Sequence, residues 1–591
     1  MNIANQVSDH DTVWKKIKKC TRSTCSVKTV KKRLPIVQWL PKYNFTFLIQ
    51  DIIAGVTVGL TAIPQGIAYA VVAGLSPEYG LYAGLMGGFI YLIFGSCKDV
   101  TVGPTAIMSA LTAKYVSGYS SDFAVLAAFL SGVVALAMGI LHLGFLLEFI
   151  SQPVITGFTT AAALQIASAQ LKSLLGLAGS SGNYFAESIT NFVVNIKTAK
   201  LWDSFLGFST IIVLFLLQRL GKGCGRTDGL LKQLRWFVSL ARNAVVVIIG
   251  IIIAYILKLN LDSEPLTLIG EIGSGLPTIK PPPFTTVVGN ETYTFNDMLS
   301  VLGLQSVVLP LVAILESVAI AKAFAGGVIV DATQEMIALG FCNIIGSFAS
   351  SMPVTGSFTR TALNHASGVQ TTAGGIVTGL LIILALSLLT STFYFIPKAT
   401  LAGLIITAMF SMINYTIFGR LWKDSKKELV VIVITIGICL YLGLEYGIVT
   451  GIAVEAAMLL FTTSRPKVDA DLVKSDKGDV IVIMLSDSVS YCAAEHVRRA
   501  ILKASNDADT NTLIVVDGTN LRSMDTTVAS NLMSVVQDVH KKDVKIKFLN
   551  FKPHLIDMCA NLNAKSLEIF EEASNAIELL NRITKSVCIR I

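Results

Sequence analysis

Apolar runs long enough to cross a bilayer recur from about residue 51 to residue 462 and almost nowhere else along the chain. At a threshold relaxed for short or broken helices, about fourteen are predicted. Seven of them, 51–74, 78–95, 104–118, 123–147, 153–175, 204–220 and 243–260, precede the polar loop 261–299. The other seven, 300–325, 330–349, 357–367, 371–395, 398–413, 428–444 and 446–462, follow it. Beyond Phe461 the pattern changes at Thr-Thr-Ser-Arg-Pro. Val480–Leu485, Leu513–Val516 and Lys545–Leu549 are short β-branched or alternating runs, and 492–504 and 525–541 between them have helical spacing. Strands alternating with helices predict a small α/β domain. The expected organisation is a basic region 1–50, a membrane domain 51–462 with halves 51–260 and 300–462, and a terminal α/β domain 463–591.

Composition excludes a soluble reading. The 591 residues are 53% hydrophobic and 15% charged, with a mean hydropathy of +0.66, whereas soluble domains run near 25% charged. Residues 1–43 hold eight Lys, two Arg and two Asp, which equals the whole net charge of +8. Basic charge on a tail ahead of the first span does not suggest a nucleic-acid face. Nor is there an apolar core of a cleavable signal peptide before Asp51. Cys20 and Cys25 in that tail are open to palmitoylation or to a plain solvated role. The nine cysteines include no C-x-x-C pair, and neither 176–203 nor 261–299 contains one, so packing thiols are expected in place of disulfides.

Loop charge sets an orientation. With the tail in the cytosol, the sixth-to-seventh connection is also cytosolic and carries Lys222, Arg226, Lys232, Arg235 and Arg242. The twelfth-to-thirteenth connection, with Arg420, Lys423, Lys426 and Lys427, falls on the same side. The 261–299 loop falls outside with one lysine, Lys280. All three obey the positive-inside rule under one assignment, which leaves both termini cytosolic. Asn290-Glu291-Thr292 in the outer loop is then an accessible glycosylation sequon, while those at Asn44 and Asn414 face inward.

Two interruptions carry the chemistry. Gly103-Pro104 precedes the third span, and Pro353-Val354-Thr355-Gly356 precedes the tenth. Irregular backbone at membrane depth implies a cavity, because lipid cannot satisfy free N–H groups. The breaks occupy the third position of seven in each half, and an offset of 253 relates Gly103 to Gly356 and Ala68, Ala70 and Gly74 to Ala321, Ala323 and Gly327. Seven is odd, so tandem halves have opposite orientations, as in inverted-repeat secondary transporters. The third and tenth spans then start near the midplane with their N-termini opposed. Each start presents orphan amides and about half a positive charge, a setting for an anion. Thr105 and Ala106 open one half-helix, and Phe358, Thr359 and Arg360 open the other. Two roles are open to Arg360: facing a ligand, or pairing with a buried carboxylate. Glu316 in the eighth span is either functional or a static hydrogen bonder, with Lys322 nearer the cytosolic end. Gln65 and Tyr69 share a face of the first span, four residues apart. Thr57 and Thr378 are expected to bond back to their own helices.

The stretch IPQGIAYAVVAGLSPEYGLYAGL, followed by DVTVGPTAIMSAL, resembles the sulfate permease family of anion transporters. SSMPVTGSFTRTALNHASGVQTTAGG, residues 350–375, is similar to its second signature, and the terminal unit resembles its STAS domain. GPTAIMS and PVTGSFTRTALN point to the sodium-independent sulfate anion transporter branch. The resemblance implies a polytopic α-helical fold of seven plus seven inverted spans with half-helices at spans 3 and 10. It implies a homodimer, an elevator-like alternating-access cycle, no cofactor, and a plasma or lysosomal membrane location. It also implies an anion site at Gln65, Tyr69, Thr105, Phe358, Thr359 and Arg360. Some chloride-handling relatives carry an aromatic residue where this chain has Thr105, whose hydroxyl suits an oxyanion. The Asp-Ser phosphorylation pair of bacterial STAS relatives reads Asp525-Thr526 here.

Charge arithmetic ranks the substrates. Two half-helix starts supply roughly one positive charge together, and Arg360 supplies another, a total suited to sulfate. An ionised Glu316 reduces it to a value suited to chloride or bicarbonate, so Glu316 is expected to carry a proton when sulfate is bound. Three readings remain: a sulfate carrier working by exchange or proton symport, a chloride channel on the same scaffold, and a scaffold protein acting through its STAS domain. No nucleophile–base or metal constellation supports an enzyme.

Overall fold

The computed structural model describes residues 31–578 apart from 146–149, 181, 183, 221–229, 262–264, 272, 274, 328, 475–478, 486, 507–511, 543, 563–567, 575 and 577. Cys20, Cys25, Lys222 and Arg226 lie outside the described residues, as does the side chain of Lys232. The chain divides into two compact units, residues 1–452 and 453–591.

A helix forms at each of the fourteen predicted apolar runs. They are α1 Phe45–Val72, α2 Pro77–Phe94, α3 Ala106–Gly118, α4 Ser121–Ile140, α5 Gln152–Leu175, α6 Leu201–Leu220 and α7 Arg242–Leu261. The second set is α8 Gln305–Phe324, α9 Ala332–Phe348, α10 Phe358–Ala366, α11 Gly374–Leu384, α12 Lys398–Met412, α13 Lys426–Leu442 and α14 Leu444–Ser464. Among the described residues, nine helices are long and apolar enough to cross a membrane. Those of thirteen and nine residues, α3 and α10, are far short of the roughly 20 residues that a full crossing needs. The first helix begins six residues earlier than expected because Asn44 caps it, its side chain accepting from the Phe47 amide at 2.8 Å. The connections hold more structure than their polarity suggested. Short helices span Phe185–Asn195, Leu230–Leu240, Phe295–Leu302 and Tyr415–Asp424, and a hairpin pairs β2 (Thr286–Val288) with β3 (Glu291–Tyr293).

The inverted repeat is visible in the packing. Adding 253 to Ser121–Ile140 gives 374–393, the extent of α11 with its continuation through a π turn at Ala385–Leu389. Helix α4 packs on α9, and its equivalent α11 packs on the equivalent α2. Between α2 and α3 lies β1 (Val102–Gly103), which pairs antiparallel with β4 (Thr355–Gly356), Val102 opposite Gly356 and Gly103 opposite Thr355. A two-fold operation of offset 253 exchanges those two pairs, so the ladder sits on the pseudo-symmetry axis. Small residues allow the close approaches: a Cβ at Gly80 would lie 2.0 Å from the Gly66 carbonyl oxygen, so α1 and α2 meet backbone to backbone.

Buried carboxylates tie the helices together. Asp51 accepts from the amides of Gln370 and Thr371 at 2.8 and 3.1 Å and from the Thr371 hydroxyl at 2.6 Å. Glu335 accepts from Tyr91 Oη at 2.9 Å and from the Ser96 amide at 3.1 Å. Thr57 bonds back to Ile53 O as expected, and Thr378 bonds back to Gly374 O at 3.4 Å while also crossing to Gly55 O at 3.0 Å, which links α11 to α1.

The second unit is a five-stranded sheet in the order β11-β10-β8-β6-β5. Its strands are β5 Asp469–Val473, β6 Val480–Met484, β8 Leu513–Asp517, β10 Lys545–Leu549 and β11 Phe570–Glu571. Only β5 runs antiparallel to its neighbour. Parallel neighbours require crossovers, supplied by α15 Tyr491–Asn506, α16 Thr526–His540 and α17 Pro553–Leu562. Ile483, Ile514, Val516, Ile546 and Phe548 form the core with these helices. A second parallel pair, β7 Asp487–Val489 with β9 Leu521–Met524, was not foreseen. Asp525 caps α16, accepting from the Val528 amide at 2.9 Å and from the Tyr491 amide, and leaves Thr526 exposed.

Candidate anion-binding site

Pro104 and Pro353 keep their segments out of the helical ladder, and the β1–β4 pairing absorbs the backbone groups released there. The chain then leaves the ladder in opposite directions to start α3 and α10, so both helix N-termini lie at the centre of the unit. Thr105 is the N-cap of α3; its hydroxyl accepts from the Met108 amide at 3.5 Å. The start of α10 has no side-chain cap and no acidic residue in its first turn. Its orphan amides are therefore available to a ligand.

Arg360 is 1% exposed and is among the largest fully buried side chains of the described residues. One guanidinium nitrogen, Nη1, donates to Gln65 Oε1 at 3.5 Å, while Nη2 has no hydrogen-bond partner. Gln65 Nε2, also buried, has none either. Gly103 makes room for this arrangement: a Cβ there would stand 2.9 Å from Arg360 Nη2. Among the described residues Arg360 makes no ion pair, and its electrostatic carboxylate neighbour is Glu316.

Glu316 receives the Thr105 hydroxyl at 3.4 Å. The hydroxyl that the sequence suggested for an oxyanion is thus turned toward the carboxylate, because it completes the α3 cap from that side. Tyr69, Glu316 and Arg360 are electrostatic neighbours. Glu316 and Phe358 line a cavity of about 530 Å³ together with Ile107, next in sequence to the buried Ala106. Phe358 is 53% exposed and packs on Phe324 with ring centroids 5.3 Å apart. Thr359 is half-buried. Gln65, Tyr69, Thr105, Ala106, Glu316, Phe358 and Arg360 therefore converge. Sequence reasoning missed Ser317. Its buried hydroxyl has no partner, and it lies 3.3 Å from a Cβ built at Gly356. A serine in an apolar helix carries no signal of that kind in sequence. Asn290 is placed apart from the site, exposed at the turn of the β2–β3 hairpin.

Residues 48–435 match the Sulfate permease family, and residues 472–576 match the STAS domain. The chain is 38% identical over 569 residues to a sodium-independent sulfate anion transporter of Bos taurus, covering 94% of this chain and 92% of that protein. It is 34% identical to sulfate permease 1 of Saccharomyces cerevisiae, over 73% of this chain and 53% of the yeast protein, so it spans about half the length of such fungal relatives. The solved structure of SLC26A9 superposes with a TM-score of 0.81 at 20% identity, covering 95% of each chain, which establishes the shared fold.

Proposed function

Because the chain belongs to the sulfate permease family, a multi-pass membrane family of anion transporters, we propose that it is a sodium-independent secondary carrier of sulfate. The observation that carries this reading is the unpartnered Arg360 Nη2 buried between two opposed helix starts. A buried guanidinium with a free donor is costly unless an anion completes it. The bovine relative's name gives the substrate class. Gln65, Tyr69, Ala106, Phe358, Thr359 and Arg360 form the binding shell, and Thr105 acts through Glu316.

The cavity lined by Glu316 and Phe358 is also lined by Ser411–Thr416, next to the basic connection that holds Arg420 and Lys423. With that connection in the cytosol, the site opens inward, and an elevator-like displacement of the half-helices against the remaining spans exposes it outward. Both termini are then cytosolic, the number of spans is fourteen, and the working unit is a homodimer in a plasma or lysosomal membrane. The soluble domain begins near residue 463.

A second reading, exchange of chloride, bicarbonate or oxalate, rests on Glu316. When ionised, it lowers the positive charge beside the site and favours the monoanions chloride and bicarbonate. The deciding experiment places the purified protein in liposomes and follows labelled sulfate at zero membrane potential without chloride. Accumulation driven by an inward proton gradient identifies a proton symporter. Uptake that ignores the gradient and rises with trapped chloride, bicarbonate or oxalate identifies an exchanger, and no saturable flux refutes the carrier.

A further inference from the structure

A second cavity, of about 620 Å³, lies at the opposite ends of the same helices. Four lysines from separate parts of the chain line it: Lys114 of α3, Lys172 of α5, Lys200 and Lys398. No carboxylate is among its lining residues, although Glu187 packs against the lining Gly182 and precedes the lining Ser188. Asp203 stands behind one wall, but it is fully buried and accepts from the Thr267 amide and hydroxyl at 3.0 and 2.7 Å. Among the described residues, Lys172, Lys200 and Lys398 form no ion pair; Lys200 reaches only Thr267 Oγ1, at 3.4 Å.

Helix dipoles do not account for all four. Lys172 lies in the last turn of α5, where a cation complements the negative helix end. Lys398, by contrast, is the first residue of α12, which has no acidic residue in its first turn and no side-chain cap. Lys200 caps the start of α6, its carbonyl accepting from the Ser204 amide. A cation at a helix N-terminus meets like charge; the first turn of α6 offsets Lys200 with Asp203, whereas Lys398 has no such acid, so its placement is unfavourable until an anion enters.

We infer that this outer cavity is a second anion site, which takes a sulfate-sized dianion from the side opposite the central site. Its position suits hand-over. Helix α3 contributes Ile107 to the inner cavity and Ala110 to the outer, three residues apart, and α5 contributes Thr159 and Gln165, six apart. At about 1.5 Å per residue, only about 5–9 Å of helix separates the two along these walls. The cavity is wide enough for the dianion to keep much of its hydration, so binding is weak and sensitive to salt. What the anion does next rests on the carrier reading; the site itself does not.

The test is amine labelling of the full-length protein in lipid nanodiscs, read residue by residue by mass spectrometry as sodium sulfate replaces sodium gluconate at constant ionic strength. Labelling of Lys172, Lys200 and Lys398 is expected to slow together with one midpoint, roughly tenfold at ten times that midpoint. Lys280, exposed in the 261–299 loop, is unaffected. Lys398→Gln is expected to weaken sulfate protection of Lys172 and Lys200. Arg360→Gln, or where it fails to fold Gln65→Ala, leaves that protection in place. Equal slowing at Lys280, no slowing at the cavity lysines, or protection lost with the central-site variant would each overturn the inference. A protein with no sulfate flux but intact protection would fail the carrier reading alone.

Discussion

Replacing Glu316 by Gln separates charge from shape at the centre of the protein. The amide keeps an oxygen for the Thr105 hydroxyl, now 3.4 Å from Glu316 Oε2, so the cap of α3 and the cavity wall survive. What is lost is a group that can ionise. Taken as about one residue beyond the Thr105 contact, an anion seated on the first amides of α3 lies roughly 6 Å from that carboxylate. At an effective dielectric constant of about 20, a carboxylate and a dianion at that separation repel by roughly 5 kcal/mol, and a carboxylate and a monoanion by about half as much. Between three and four decades of sulfate affinity therefore depend on whether Glu316 carries its proton, at roughly 1.4 kcal/mol per decade. Only the protonated fraction is competent, so the apparent sulfate KM of the natural protein is expected to rise about tenfold per pH unit once Glu316 ionises. In Glu316→Gln it should stay flat and low, because the amide is neutral at every pH. Initial rates of labelled sulfate uptake into chloride-free liposomes, clamped at zero potential over a series of external pH values, give both curves. If the variant keeps the same pH slope as the natural protein, a proton at Glu316 is not what admits the dianion, and the charge argument fails.

Other outcomes follow from the packing and the surface. Gly80→Ala drives a methyl group to 2.0 Å from the Gly66 carbonyl oxygen, which neither backbone can yield cheaply; a loss of 1–3 kcal/mol or more is expected, seen as a lower unfolding temperature in detergent. Asn290→Gln is expected to abolish a glycosidase-sensitive mobility shift in protein from eukaryotic cells, and a shift that survives would place the glycan elsewhere. In the second unit, a hydrogen bond from Arg498 at 2.9 Å holds the Asp538 carboxyl below its ordinary range. This linkage stabilises the fold above the ordinary Asp value of 3.8 and is lost as pH falls through the lower folded value. Arg498→Gln should return the Asp538 titration toward that ordinary value by NMR, and an unmoved titration would assign the effect to another neighbour.

Hydrophobic length, loop charge and the two Pro–Gly breaks were enough to place fourteen helices, an inverted repeat and the residues at the half-helix starts. These features are local: a span is written in consecutive residues, and a break needs only a proline or glycine in the wrong place for a helix. The offset of 253 matched Gly103 to Gly356, but that Val102–Gly103 pairs with Thr355–Gly356 as a two-residue ladder emerged only in the structure. Short elements inside the connections, such as Phe185–Asn195 and the β2–β3 hairpin, escaped notice because a few polar turns carry little periodicity. Contacts between distant residues were out of reach for a different reason. That Thr105 turns to Glu316, that Gly103 leaves room for Arg360, and that Ser317 lies beside Gly356 depend on side chains separated by dozens to hundreds of positions. The outer lysines make the same point most sharply. Lys114, Lys172, Lys200 and Lys398 are unremarkable one at a time in the sequence, and only folding brings four like charges around one cavity. Sequence determines which segments enter the membrane and where their backbone must break, because solvation acts on each segment by itself. Tertiary structure decides which charges meet, because electrostatic energy depends on distances that only packing sets.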